Sequence, residues 1–339
     1  MRWLQDLLGP RAEPDIPTVD YYFLGAMRNF VRTGNADSAA QPIIRLGPHT
    51  FAHDRRLVII RYLTAGELAA VRSRAWERVY YVIDDMLPVA SICVDLPADY
   101  RARLARFVAE MLPEILALEP TIVAPREEIL SLFPRFPSER LDPMALFLAD
   151  GADHWRHPIS STNPFRIAFL GTRSHATGLE FLVPILAAAV AVHPHIRVVL
   201  FFGRHLPKPL RGLPQVKNRR PLSWMRYQTV LQHERFHAVL APLPDTPFNR
   251  GRSITKFLDV AAVGAAGLFS ARRPFTEVVT DGVHGLLLPD DPVAWQQSIL
   301  RLAGDLATTR RLSEAARARA HDIGDPARVR AFWRTRLGV

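Results

Sequence analysis

Residues 242–264, PLPDTPFNRGRSITKFLDVAAVG, place a polar loop directly before a helical pattern. Ser253 is a good N-cap, so we expect the first turn of the following helix to offer free backbone N–H groups to an anion. Arg252 and Lys256 add fixed positive charge around that turn, which suits a diphosphate. Asp259, one turn further on, could accept hydrogen bonds from ribose hydroxyls. A surface helix with a simple Lys256–Asp259 pair explains the same pattern equally well.

Around this segment, short apolar β-rich stretches alternate with helical patterns from about residue 165 onwards. Such alternation indicates a parallel α/β sheet. We therefore expect a doubly wound domain. Its predicted strands cover residues 166–170, 196–202, 238–241, 265–270 and 284–288, and its predicted helices cover residues 179–192, 224–233, 253–263, 274–280, 291–303, 308–323 and 326–337.

The first 150 residues repeat the alternation more loosely. Thr64 and Glu67 form a capping box, which predicts a helix from there to about residue 76. Residues 141–162 lack periodicity and are rich in Asp, His, Ser and Pro, so we place a domain linker there. The predicted strands cover residues 57–62, 78–83 and 121–124, and a long helix is predicted over residues 99–118. Two α/β domains joined in this way form a ligand cleft at the carboxyl ends of their strands.

The composition excludes several classes of protein. The chain has 339 residues, 48% hydrophobic and 22% charged, which rules out a disordered chain, a coiled coil and a collagen-like repeat. The one cysteine, Cys93, excludes an internal disulfide and a Cys-rich metal site. The longest apolar stretch, residues 181–192, is too short to cross a bilayer, and residues 1–10 lack the apolar core of a secretory signal. We expect a cytoplasmic protein.

The net charge of +10 could favour phosphates, anionic lipid or nucleic acid. Only three of the 43 cationic residues are lysine, the arginines are scattered along the chain, and the usual nucleic-acid-reading motifs are absent. We therefore expect no nucleic-acid partner. The start of the chain carries an apolar helical face beside a basic residue: Arg2, Trp3, Leu4, Leu7 and Leu8. This face predicts either peripheral contact with the inner face of the cytoplasmic membrane or docking on the protein's own domain.

Four motifs in the C-terminal half follow one another in a characteristic order. They are LDVAAVG at residues 258–264, the Glu-Val-Val of residues 277–279, DGVHGLLLP at residues 281–289, and a helix start with Pro and Trp at residues 291–295. This series resembles the donor-binding half of glycosyltransferase family 4, also called glycosyl transferases group 1, which has the GT-B fold. In the N-terminal half only RVYYVIDDML, residues 78–87, is similar to a strand of some relatives.

The resemblance implies two Rossmann-like domains facing each other across a cleft. Residues 1–150 would bind the acceptor, residues 163–325 would bind a nucleotide-sugar donor, and residues 326–339 would form a helix that packs back. The implied reaction moves a sugar from a nucleoside-diphosphate sugar to a saccharide or lipid-linked acceptor, in surface polysaccharide or glycoconjugate synthesis. The implied enzyme is a retaining hexosyltransferase that needs no metal and no cofactor.

The resemblance also implies roles for single residues. In the loop GTRSHATG, residues 171–178, Arg173 would neutralise the leaving diphosphate together with Arg252 and Lys256, and His175 would contact the donor. The two glycines of this loop are equally typical of a tight strand-to-helix turn with solvated side chains. Ser253 and Asp259 complete the implied donor site, with Asp259 on the ribose.

The sequence departs from the family where a glutamate normally faces the donor sugar, eight positions before the ribose carboxylate. Gly251 stands there and has no side chain to offer. Either Asn249 and Arg250 take over the sugar contacts, or the protein has lost activity. A catalytically inactive glycosyltransferase-like binding protein and a sugar-nucleotide epimerase of the same fold are therefore the alternative functions.

Asp84 and Asp85 follow an apolar strand, and such paired acids hold a metal in GT-A, the other major glycosyltransferase fold. Because the donor-like motifs lie in the C-terminal half, we expect no metal here. Asp84 and Asp85 would instead contact the acceptor, cap a helix or form a polar cleft wall. His49 lies in a loop bordered by Pro and Gly, where an acceptor site could form. It is either an acceptor-site histidine or an ordinary loop residue.

Overall fold

A computed structural model describes residues 16–32, 41–148, 153–171 and 175–339. Two six-stranded sheets form two α/β domains, which confirms the predicted fold class. Among the described residues, no helix combines the length and the apolar character needed to span a bilayer.

The N-terminal sheet is mixed, with its strands in sequential order. The first three strands pair antiparallel and the last four pair parallel, so the sheet starts with a meander and continues as a Rossmann-like sheet. The sequence predicts the three central strands and misses the outer ones, which have two to four residues each. The strands are β1 (Ile44–Arg45), β2 (Thr50–His53), β3 (Arg56–Ile60), β4 (Arg78–Val82), β5 (Thr121–Ala124) and β6 (Ser138–Arg140).

The C-terminal sheet is parallel throughout, and its order β12-β11-β10-β7-β8-β9 is the 3-2-1-4-5-6 order of a doubly wound nucleotide-binding domain. In such a sheet the ligand binds where the strand order reverses, here between β7 and β10. The short edge strand β9 escapes the sequence prediction. The strands are β7 (Phe165–Ala168), β8 (Ile196–Leu200), β9 (Val216–Asn218), β10 (Ala238–Ala241), β11 (Ala266–Ser270) and β12 (Leu286–Leu288).

Helices cover the sheets at positions close to those predicted. The predicted helix over residues 99–118 is interrupted at Met111, because Pro113 in the next turn cannot donate a backbone hydrogen bond. The helices are α1 (Ala65–Arg72), α2 (Leu87–Ala90), α3 (Ala98–Glu110), α4 (Leu112–Leu116), α5 (Glu127–Leu130), α6 (Ala176–Val192), α7 (Trp224–His233), α8 (Thr255–Ala262), α9 (Phe275–Val278), α10 (Pro292–Gly304), α11 (Leu306–Ile323) and α12 (Pro326–Leu337).

Before β1, four short helical stretches follow one another without a break: Pro17–Val19, Asp20–Leu24, Gly25–Met27 and Arg28–Phe30. We call them the N-terminal helical segment. The final helix α12 crosses back and packs on this segment: the Trp333 indole N–H donates to the Tyr22 carbonyl over 2.6 Å. Trp333 also packs edge-on against Phe23 and Tyr80. Side chains from both domains and from this segment thus form one continuous hydrophobic core.

Candidate active site at the domain cleft

Lys256 lies at the switch point of the C-terminal sheet. It stands on the first turn of α8, and its ammonium group donates to the carbonyl of Leu170, just beyond β7, over 2.6 Å. A second hydrogen bond of 2.9 Å joins it to Asp259 one turn along the helix. The predicted Lys256–Asp259 pair therefore exists, but it lies at the mouth of the sheet and not on an outer surface.

Arg252 and His175 lie beside Lys256, and the charges of Arg252 and Lys256 give this end of the sheet a positive potential. Burial lowers the pKa of His175 well below its usual value, and the charges of Arg252 and Lys256 lower it further. His175 is therefore a neutral imidazole next to two fixed cations. The Arg252 guanidinium stacks on the Phe248 ring, 4.4 Å from its centroid, which fixes its orientation. The structure thus brings together three predicted donor-site residues, while Arg173 lies outside the described residues.

The start of α8 differs from the prediction. Ser253 is not the N-cap residue: that position falls on Ile254, and the Ser253 hydroxyl accepts only a long hydrogen bond of 3.4 Å from the Thr255 backbone N–H. The Ser253 hydroxyl instead pairs with the Thr255 hydroxyl over 2.7 Å. The 3₁₀ turn Asn249–Gly251 before the helix shifts the helix start by about one residue. The predicted N-cap role of Ser253 is therefore wrong, and a phosphate seat at the start of α8 stays a prediction.

Asp259 is buried, with 3% of its surface exposed, and both of its carboxylate oxygens are engaged. The Tyr21 hydroxyl donates to Oδ1, and the Tyr227 hydroxyl donates to Oδ2 over 2.8 Å, the oxygen that also accepts from Lys256. Burial, together with the negative charge of Asp259, raises the pKa of both tyrosines well above 10. Tyr21 thus occupies the oxygen that a ribose hydroxyl would need.

Tyr21 belongs to the N-terminal helical segment, and this segment lies inside the cleft. Its Thr18 hydroxyl donates to Asp84 of the N-terminal domain over 2.9 Å. Its Asp20 carboxylate accepts from Trp224 over 2.6 Å and from Gln228 over 2.8 Å, both on α7 of the C-terminal domain. One short segment therefore holds both walls of the cleft. Sequence reasoning missed it, because the Tyr-Tyr-Phe run of residues 21–23 gives no periodic signal.

Asp84 and Asp85 form a polar wall at the carboxyl end of β4. The Arg61 guanidinium donates to Asp84 over 3.0 Å and to Asp85 over 2.9 Å, and Arg252 reaches Asp85 across the cleft over 3.3 Å. Burial is the main cause of the raised pKa of Asp84. Of the three predicted roles, the structure favours the polar cleft wall over contact with an acceptor.

No family model and no curated protein matches this chain. Solved structures with a similar fold include Staphylococcus aureus TarM with UDP (TM-score 0.56, 9% identity), Anabaena HepE with UDP and glucose (0.55, 15%), and sucrose-phosphate synthase of Thermosynechococcus elongatus (0.54, 12%). Each similarity covers 83% of this chain, and 55%, 77% and 72% of the respective structures, so the chain spans about half of TarM.

The fold is GT-B. In this GT-B chain the cleft between the domains is narrow. The larger opening has a volume of about 240 Å³ and is lined by Asn249, Arg250 and residues of both domains. A crevice of about 20 Å³ adjoins it, with His175 on its wall.

Gly251, where the family resemblance implies a glutamate, faces the N-terminal domain of the GT-B cleft. A β-carbon at this position would lie 2.2 Å from Cγ of Met86 and 3.3 Å from Cγ1 of Ile129. The space of the missing side chain is therefore filled from the opposite domain. Asn249 next to it donates to the Pro244 carbonyl over 2.9 Å. Arg250 is exposed and lies 3.4 Å from Asp245.

His49 does not lie at the GT-B cleft opening. It is 1% exposed, its backbone N–H donates to Glu67 over 2.6 Å, and its Nδ1 lies 3.2 Å from the same carboxylate. Glu67 also completes the predicted capping box of α1. The predicted acceptor role of His49 is therefore wrong, because the imidazole is part of the N-terminal domain's interior.

A salt-bridge cluster that the sequence did not predict closes the GT-B cleft on one side. Arg126, at the start of α5, is 2% exposed and pairs with Glu277 of α9, with one hydrogen bond of 3.1 Å. Arg273 joins Glu277 to Glu128 of α5 over 3.0 Å. Glu277 is the first residue of the Glu-Val-Val motif that carries the family resemblance. In this structure its side chain joins the two domains through Arg126.

Proposed function

We propose that this protein is a glycosyltransferase that moves a sugar from a nucleoside-diphosphate sugar to a saccharide or lipid-linked acceptor. The observation that carries the proposal is the cation pair Lys256 and Arg252 beside neutral His175, at the switch point of a doubly wound sheet. Nucleotide phosphates bind at this place in such sheets. In a GT-B fold the same place holds the leaving diphosphate of the donor.

The chemical demand of the reaction is charge stabilisation. As the anomeric C–O bond breaks, negative charge grows on the diphosphate, and preorganised cations stabilise it without reorganisation. Lys256 is held by two hydrogen bonds, and Arg252 is held by Phe248 and Asp85, so both are preorganised. Arg173 would complete the set. With these fixed charges the reaction needs no metal and no cofactor, and we propose that it retains the anomeric configuration.

The donor must displace Tyr21 in this reaction. Pockets for drug-sized ligands usually measure about 300–1,000 Å³, whereas the openings here measure about 240 and 20 Å³. A nucleotide sugar therefore binds after the cleft has widened, when the ribose hydroxyls take the place of the Tyr21 hydroxyl on Asp259. The Asn249 and Arg250 side chains then face the sugar in place of the glutamate that Gly251 lacks.

A second candidate function is a glycosyltransferase-like binding protein without turnover. The observations that favour it are the Met86 side chain packed on Gly251 and the full engagement of Asp259 by the chain's own side chains. We place either function in the cytoplasm, in surface polysaccharide or glycoconjugate synthesis. The predicted apolar face of residues 2–8, which lies outside the described residues, would hold the protein at the inner face of the cytoplasmic membrane.

The test is nucleotide binding by the full chain, followed by turnover. UDP, GDP, dTDP and ADP are titrated calorimetrically, with and without EDTA, into the wild type and Lys256→Ala. Lys217→Ala, in the edge strand β9, is the matched control. We expect one nucleotide to bind independently of EDTA, and Lys256→Ala to lose at least tenfold in affinity while Lys217→Ala does not. The sugar nucleotide of that base is then incubated with saccharide acceptors.

The outcomes separate the two functions. Lys256-dependent binding with release of nucleoside diphosphate supports the transferase. Lys256-dependent binding without hydrolysis or transfer supports the binding protein. Equal nucleotide affinity of the wild type and Lys256→Ala would contradict both, because each of them places the diphosphate on Lys256.

A further inference from the structure

The 240 Å³ opening of the cleft has three arginines on its wall. It lies between the loops that follow β10 and β11 in the C-terminal domain and α5 in the N-terminal domain. Leu243, Pro244 and Asn249 also border the crevice of His175, so the opening adjoins the proposed donor site. Its charged wall residues are Arg250, Arg272, Arg273, Asp245 and Glu128.

Each guanidinium group on this wall already has a carboxylate partner. Arg272 pairs with Asp290, and Arg273 pairs with Glu128 and Glu277. Arg250 and Asp245 form a solvent-exposed pair at 3.4 Å, a geometry that contributes little stability. The Arg250 guanidinium can therefore exchange Asp245 for a ligand at small cost.

Arg272 carries the clearest sign of a missing acceptor. Its Nη2 donates to Asp290, which is half exposed. Its Nη1 is buried and has no hydrogen-bond acceptor among the described residues. A buried donor without an acceptor costs about 1–3 kcal/mol, so an anionic oxygen in this opening would find a donor already desolvated.

We propose that this opening binds the carboxylate of a hexuronic acid, with Arg272 and Arg250 as its donors. A carboxylate accepts two parallel hydrogen bonds from a guanidinium, and its single negative charge suits the exchange of Asp245 on Arg250 for a ligand carboxylate. The volume is below that of pockets for drug-sized ligands and fits one sugar ring. The proposal rests on the proposed function in that this ring belongs to the donor or to the acceptor.

The test compares two sugars that differ only at C6. Glucuronate and glucose are titrated into the full-length protein and followed by saturation-transfer NMR, which detects millimolar affinities. We expect glucuronate to bind at least tenfold more tightly than glucose, and both Arg272→Gln and Arg250→Gln to remove most of that preference. Arg310→Gln is the control. It removes the same charge from an exposed ion pair, Arg310–Glu314 on α11, away from the opening.

Three results would overturn the proposal: equal affinity for the two sugars, an unchanged preference in both cleft variants, or tighter binding of glucose 6-phosphate than of glucuronate. Arg250→Gln keeps the test decisive if Arg272→Gln does not fold, because Arg250 is exposed. Lys256→Ala separates this test from that of the proposed function. It removes nucleotide binding and leaves glucuronate binding intact.

Two further titrations identify the source of the uronate. If it is part of the donor, UDP-glucuronate binds more tightly than UDP-glucose, and saturating UDP-glucuronate displaces free glucuronate. If it is part of the acceptor, free glucuronate still binds in the presence of saturating UDP-glucose. Either result supports a uronate site. Equal affinity for UDP-glucuronate and UDP-glucose, together with loss of glucuronate binding in saturating UDP-glucose, would refute it.

Discussion

Tyr21→Phe removes a single hydrogen bond from the most enclosed part of the cleft. The Tyr21 hydroxyl donates to a carboxylate that is 3% exposed and whose other oxygen is already occupied. A hydrogen bond to a charged group contributes about 1.5–3 kcal/mol, and the Asp259 oxygen loses its donor when the hydroxyl is removed. We expect the free energy of unfolding to fall by about 2 kcal/mol.

The same substitution should tighten nucleotide binding. Suppose that the ribose must displace Tyr21 from Asp259. The free energy that stabilises the closed arrangement, in which Tyr21 is bound to Asp259, is then subtracted in full from the observed free energy of nucleotide binding. Removal of about 2 kcal/mol from the closed arrangement corresponds to about thirtyfold tighter binding, since 1.4 kcal/mol is a factor of ten. Tyr21→Phe therefore loses stability and gains affinity at once.

Two measurements check this prediction: urea denaturation and calorimetric titration of the nucleotide that binds the wild type. Tyr227→Phe is the matched control, because Tyr227 gives Asp259 the same kind of hydrogen bond but lies on α7, in the same domain as Asp259. It should lose similar stability without a gain in affinity. A Tyr21→Phe protein that is less stable and binds nucleotide no better would refute the displacement of Tyr21 by ribose.

Gly251→Ala should lower the free energy of unfolding by about 1–3 kcal/mol, because the new methyl group would overlap Met86, and Met86→Ala should restore most of that loss in urea denaturation. Glu277→Ala should cost about 3 kcal/mol by the same measurement, since it leaves the buried Arg126 guanidinium without its main partner. Burial lowers the pKa of His237 to about 4, so the unfolded chain binds more protons between pH 6.5 and 4. Stability should fall by about 2 kcal/mol from pH 7 to pH 5 on account of this residue, and His237→Gln should remove that share of the fall.

The C-terminal domain could be predicted from sequence because its signals are local. Each strand is a short apolar stretch next to a helix with its own start and stop residues, and a parallel sheet follows from the alternation. The same holds for Lys256 and Arg252, which lie within one loop and one helical turn. Where the sequence failed locally, at β1, β2, β6 and β9, the strands have only two to four residues.

The closed state of the cleft could not be predicted, because every contact that forms it joins distant parts of the chain. Tyr21 meets Asp259 across 238 positions, and Arg126 meets Glu277 across 151. Asp259 was predicted as a ribose ligand from its place one turn beyond Lys256, and that place gives no information on what covers the carboxylate. The same limit applies to Gly251. The sequence shows that a side chain is missing there, and only the packing shows that Met86 fills the space.

The engaged state of Asp259 does not by itself argue against a nucleotide site. Ribose hydroxyls and the Tyr21 hydroxyl are donors of the same kind, so their exchange on the carboxylate changes the number of hydrogen bonds little. The net affinity for the nucleotide must then come from side chains that gain a stronger hydrogen-bond partner when the nucleotide binds. The Arg252 guanidinium now pairs with Asp85 and the Lys256 ammonium with a backbone carbonyl, and both would gain charge-assisted bonds to a diphosphate. Affinity should therefore depend more on these two cations than on Tyr21, which makes Lys256→Ala the more damaging substitution and Tyr21→Phe the one that improves binding.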